Sequence, residues 1–213
     1  MANPNPDPQN DRTETARTVA KAILDVISSV PGTNEALNST PRERARVISN
    51  QSALRAAAVS GTLALPPGPL GVLTLVPDLI AVWRIQAQLV ADIGGAYGRT
   101  ASLTQEQMLY CLFRHAAVQV ARDLGVRVGE RFIFRPATIR VIQAVAQRLG
   151  ITVTQRLIAK SVARWLPVLG SLGVAAYAYY DTGQVAATAI ELFESEAQGD
   201  EQRTNGASGG DPS

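Results

Sequence analysis

The chain has 213 residues, of which 46 % are hydrophobic and only 18 % charged, against about 25 % charged in an average globular domain. That length suits one domain with a sizeable core, and the charge shortfall calls for an apolar surface patch or a thinly covered helical core. Net charge is +2, and the single cysteine, Cys111, excludes an intramolecular disulfide and any multi-cysteine metal site and points to a reducing compartment.

The opening MANPNPDPQNDR has no apolar stretch behind a basic start, so no signal peptide is expected, and residues 1–12 read as a disordered tail. Asp11 and Glu14 have capping-box spacing, and Val19, Ala20, Ile23, Val26, Ile27 and Val30 then recur at helical intervals up to Pro31-Gly32. Thr40 is a good N-cap, with Pro41 at the first helical position and Glu43 three residues on, opening a helix to about Leu65. The PPGP of Pro66 to Pro69 breaks it, because proline has no amide hydrogen and clashes with the preceding turn. Asp78, after Pro77, is placed to cap a helix over about 79–96, and Thr104 with Gln107 to cap another over 105–124. Residues 126–134, VRVGERFIF, alternate enough for a short strand that has no partner. Pro136 starts a helix to Leu149, Thr152 with Gln155 caps one from Val153 to Trp165, and a last helix runs from Pro167 to about Ala197. The expected class is all-α: a compact multi-helix domain over 13–197 with a central Pro/Gly-broken apolar hairpin, followed by a disordered acidic tail over 198–213.

Two runs raise the question of a membrane span. Ala56 to Pro77 is 22 residues without a charge, but it holds four prolines and three glycines. Folded back at PPGP, each arm of about ten residues reaches ~15 Å, half of a ~30 Å hydrocarbon core. Trp165 to Tyr180 has 16 uncharged residues, and extending it to Ile190 carries Asp181 into lipid at ~2.5–3.5 kcal/mol. A shallow hairpin or a buried core pair is expected instead.

The segment from Ser60 to Gly98 resembles the signature region of the EcsC protein family. The residues that carry the resemblance are Ser60-Gly61, Pro67-Gly68-Pro69, Pro77-Asp78-Leu79, Arg84-Ile85-Gln86 and Ala96-Tyr97-Gly98. The later WLPVLGSLGVAAYAYYDTGQVAATAIELF is similar to the family's C-terminal part, so that the likeness covers about residues 50–195. It implies no catalytic residue; EcsC-like proteins take their name from a member encoded beside an ABC transporter.

Charge is unevenly placed. Between Val126 and Arg164, eight basic residues face one acid, Glu130, for a net +7, whereas the balance from Glu191 onward is −5. Arg127, Arg131 and Arg135 recur every four residues beside Phe132 and Phe134, and Arg156, Lys160 and Arg164 do the same just before Trp165. Basic residues next to an aromatic and an apolar run suit an anionic membrane surface, with Leu65, Pro66, Pro67, Leu70 and Trp165 as the membrane or partner contacts. Solvated helix faces that happen to be arginine-rich are the plain alternative. Nucleic acid is not expected, since no recognised motif occurs and aromatics are only 5 %.

Arg84, Gln88 and Asp92, at i, i+4 and i+8, form a polar stripe that reads either as a groove or ion site or as an ion pair at the solvent edge of a helix. Cys111 and His115 share a helix face amid Tyr110, Leu112 and Phe113, the surroundings of a buried thiol beside a core-edge histidine. No nucleotide-binding glycine motif, hydrolase elbow or zinc-helix motif is present. The function expected is that of a non-enzymatic, cofactor-free protein, cytoplasmic and membrane-associated, meeting anionic lipid or a membrane protein complex. The alternatives are a soluble interaction or homodimerising module, and a metal-dependent hydrolase built on Asp78, Asp92, His115 or Asp123.

Overall fold

The computed structural model describes residues 8–63, 71–100, 103–123, 139–161 and 167–208. They form six helices: α1 (Pro8–Ser28), α2 (Pro41–Leu63), α3 (Gly71–Ala96), α4 (Gln105–Asp123), α5 (Ile139–Ser161) and α6 (Pro167–Ser208). There is no strand among the described residues, and the fold is all-α as expected; residues 126–134 lie outside them.

Several helix ends follow their local chemistry. At the start of α4 the Thr104 amide donates to Gln107 Oε1 at 2.9 Å and the Gln107 amide to Thr104 Oγ1 at 3.3 Å, a reciprocal capping box. α3 closes on Gly98, whose φ of +70° belongs to the left-handed region that glycine enters without strain. The Arg99 amide then donates to Gly94 O at 2.7 Å and the Gly98 amide to Gly95 O at 2.9 Å, satisfying carbonyls that the helix leaves open.

Elsewhere the helices run on past their expected limits. α1 starts at Pro8 rather than after Asp11, using a proline where the missing amide hydrogen is no loss. α3 starts at Gly71 and carries Pro77 inside it. One missing hydrogen bond is outweighed there by the burial of Val82, Trp83, Leu89, Val90 and Ile93 further along. α5 passes unbroken through Gly150, where two helices were expected. Thr152 and Thr154 donate back to the carbonyls of Arg148 and Gly150 at 2.9 and 2.7 Å, so neither opens a new helix. α6 continues past Ala197 to Ser208, and an ion pair from Arg99 to Asp200 ties its extension to the end of α3.

Side-chain pairs fix the directions of the helices. Gln86 meets Asp181, Gly94 lies against Phe193, and Arg99 meets Asp200, so α3 runs parallel to α6. Gly61 lies against Ala175, Asn50 meets Tyr179 and Arg42 meets Glu194, so α2 runs antiparallel to it. The pairs Gln107–Glu196 and Arg114–Glu191 make α4 antiparallel as well. The core draws Val19, Ile23 and Ile27 from α1, Ile48 from α2, Leu89 and Ile93 from α3, Met108 from α4, Val145 from α5, and Phe193 from α6.

Residues 29–40 form an irregular strap laid across α3. A β-carbon on Gly95 would stand 2.6 Å from the Glu35 carbonyl oxygen, so only glycine admits this approach. Glu35 takes a two-pronged bond from Arg44, at 2.9 Å from Nε and 2.5 Å from Nη2, which holds its carboxyl below the usual range. A lowered folded value means that this contribution to stability is present above the ordinary glutamate pKa and is lost as pH falls through the folded one. Glu35→Gln is therefore expected to lower Tm modestly at neutral pH, with the gap to wild type closing in acid. A gap that persists in acid would remove the ion pair as its cause.

Candidate functional site

The polar stripe on α3 is built into the strap. Gln88 Nε2 donates to Asp92 Oδ1 at 2.8 Å and to the Gly32 carbonyl at 2.9 Å, and Thr33 Oγ1 donates to Asp92 Oδ1 at 2.6 Å. Arg84, exposed, makes none of these bonds. Gln88 and Asp92 thus anchor backbone and hydroxyl groups of a loop, in place of the expected groove or solvent-edge ion pair.

Among the other expected contacts, Leu65, Pro66, Pro67, Leu70, Trp165, Arg127, Arg131, Arg135 and Arg164 lie outside the described residues. Arg156 and Lys160 fall on α5, Asp78 on α3, and His115 and Asp123 on α4, with side chains outside the described set. Cys111 is buried and free, and burial pushes its thiol well above the usual range. No group of three or more His, Cys, Asp or Glu that could hold a metal occurs among the described residues.

Two further features lie apart from the strap. The first is a face on the opening turns of α6. Leu172 and Tyr180 are each 64 % exposed, and Tyr177 and Tyr179 are exposed beside them. Spacings of 4, 7 and 8 from Leu172 to Ala176, Tyr179 and Tyr180 place these on one side of the helix. Leu54 of α2, also exposed, lies four residues beyond Asn50, which takes the Tyr179 hydroxyl at 2.8 Å. Beyond Tyr180 the same side turns polar with Gln184, Glu191 and Gln198. The apolar part thus sits at the end of the bundle where α2 finishes, α3 starts and α6 starts.

The second feature is polar and internal. Gln86, 1 % exposed, donates from Nε2 to Asp181 Oδ2 at 2.8 Å and to Thr182 Oγ1 at 3.3 Å. Burial pushes the Asp181 carboxyl up, and the bond from Gln86 draws it part of the way back. Among the described residues Gln86 Oε1 is buried without a hydrogen-bond partner. At the opposite end of the bundle the polar groups are matched: Tyr97 donates to Glu194 at 3.0 Å, and Gln107 to Glu196 at 2.5 Å. Burial, then Glu194, raises the Tyr97 hydroxyl to about 12, and burial also raises Glu196.

In the sequence the α6 face shows only as part of the uncharged run from Trp165 to Tyr180, and Gln86 only as part of Arg84-Ile85-Gln86. Asp181 is visible as the charge that interrupts an otherwise uncharged run from Trp165 to Ile190. No family model, no curated protein and no solved structure matches this chain.

Proposed function

We propose that the chain is an EcsC-like, non-enzymatic helical protein that seats peripherally on the cytoplasmic face of a membrane and assists a transporter or other membrane complex. The observation that carries this reading is the exposed leucine and tyrosine face at one end of α6. No helix among the described residues is long and apolar enough to cross a membrane, so contact by a surface patch is the mode to test. Tyrosine suits the headgroup region, with an apolar ring and a polar hydroxyl. Arg156, Lys160 and Arg164 precede Pro167 in the chain and supply charge for anionic headgroups.

Magnitudes indicate that both parts are needed. Three basic residues at about 1 kcal/mol each give millimolar binding alone. Adding Leu172 and one tyrosine at about 2 kcal/mol each brings the sum to ~7 kcal/mol, a Kd on the order of 10 μM.

The test is flotation of purified protein with anionic vesicles and with neutral ones. The wild type is expected to float with anionic vesicles only, and Leu172→Asp with Tyr180→Asp to stay at the bottom while keeping the wild-type Tm. Equal flotation of a folded double variant would remove this face from any membrane role. The same face also suits a second protein or a second copy of this chain. A mass that rises with concentration in the absence of lipid, and falls in the double variant, would favour that reading.

A further inference from the structure

We propose that the seam between α2, α3 and α6 holds a monovalent cation, sodium or potassium, at the level of Ser52, Gln86, Asp181 and Thr182. The inference is independent of the membrane reading and rests on other residues.

The orphaned Gln86 Oε1 sets the argument. A buried acceptor left unsatisfied is costly, and natural proteins rarely leave one so. Its amide is anchored by two donated bonds to α6, so Oε1 is held in place facing an occupant. The carboxylate beside it has no ion pair among the described residues; its hydrogen bond comes from the neutral Gln86 amide. The seam therefore offers a carboxyl group with no cationic partner among the described residues, together with an amide oxygen that no donor there uses. A cation completes both; a neutral donor completes only the second.

Register brings in the third helix. Ala56, Val82 and Ala178 pack together across α2, α3 and α6. One turn along, Gln86 follows Val82 and Thr182 follows Ala178, while Ser52 precedes Ala56 on the antiparallel α2. Ser52 and Thr182 are both buried, so each of the three helices brings a buried oxygen-bearing side chain to this level. Distance also permits a shared ligand. Gln86 Nε2 lies 2.8 Å from Asp181 Oδ2, and amide geometry then keeps Oε1 within about 5 Å of that oxygen, near enough for one alkali ion to touch both. With one carboxylate among neutral oxygens, the donor set suits a single charge better than calcium or magnesium, which draw on more carboxylates or on bound phosphate. Asp181 itself is not fully buried, which leaves an entry route.

The test is the thermal stability of the full chain in sodium, potassium or choline chloride at constant total salt and neutral pH. A cation bound to the folded state alone raises Tm with concentration. The wild type is expected to gain a few degrees, saturably, in sodium or potassium over choline. Asp181→Asn and Thr182→Val should each lose that gain, whereas Asp92→Asn, which alters the strap carboxylate, should keep it. Should Asp181→Asn fail to fold, Thr182→Val and the wild-type titration still decide. Identical wild-type Tm in all three salts would overturn the proposal and leave a proton or a water at the seam. A gain in Tm that Asp181→Asn and Thr182→Val both retain would overturn it as well, since the ion would then act elsewhere.

Discussion

Gly150→Leu is expected to be among the most damaging single changes in this protein, lowering unfolding free energy by about 3 kcal/mol or more. A β-carbon at Gly150 would stand 2.4 Å from the Ala16 carbonyl oxygen and 3.2 Å from the Ala20 β-carbon. The obstacle is backbone of α1, which cannot turn aside as a side chain would. Relief requires α1 and α5 to separate, and α1 carries Val19, Ile23 and Ile27, each at most 1 % exposed. Gly150→Ala isolates the cause. In an open helix the change gains up to about 1 kcal/mol from helix propensity; here the collision reverses the sign. Gly183→Ala, on α6 with nothing within 4 Å of the new β-carbon, provides the contrast and should be neutral or stabilising. Urea midpoints at unchanged m-value measure all three. A Gly150→Ala variant as stable as wild type would mean that the two helices do not cross this closely.

Phe193→Ala is expected to cost about 3–5 kcal/mol. The ring is fully buried on α6, stacked on Tyr97 with centroids 6.2 Å apart and planes 28° apart. It also fills the space over Gly94, whose β-carbon would lie 3.2 Å from Phe193 Cζ. Removing it leaves a hole between two parallel helices and frees Tyr97, whose hydroxyl donates to Glu194. Phe193→Leu restores part of the volume and should recover part of the loss. In a chain of this size, each 1 kcal/mol corresponds to about 2–4 °C in Tm, so the alanine variant should melt roughly 10 °C lower. A drop of only a degree or two would place Phe193 outside the core.

How much of this was legible beforehand differs between elements. The all-α class and the openings at Pro41 and Gln105 come from residues that act on their own neighbours. Thr104 and Gln107 perform the roles their chemistry predicts. Gly150 and Pro77 misled because a helix breaker is a local preference that packing can override. Gly150 is in fact demanded by α1, more than a hundred residues away in the chain. The polar stripe was visible as a stripe, but its partners Gly32 and Thr33 come from a strap of no periodicity. Gln86 and Asp181 are 95 residues apart, and no spacing rule connects them. They meet only because α3 and α6 run parallel in this register. The run from Trp165 to Tyr180 is legible as apolar, but which of its residues are exposed is decided by the side of this small-residue helix that packs on α2.

Cys111 has a practical consequence for the experiments above. Buried to 2 % exposure, with its thiol held protonated, it should be inert to maleimide while the chain is folded. A cysteine introduced on the surface can therefore be labelled without altering the native one. At Gln202, exposed on α6, a dye would sit 30 residues from Leu172, about 45 Å along the helix. Such a reporter would stay in water while the far end docks, so its mobility would read docking without taking part in it. Uptake of label at Cys111 itself would then serve as a clock for opening of the bundle.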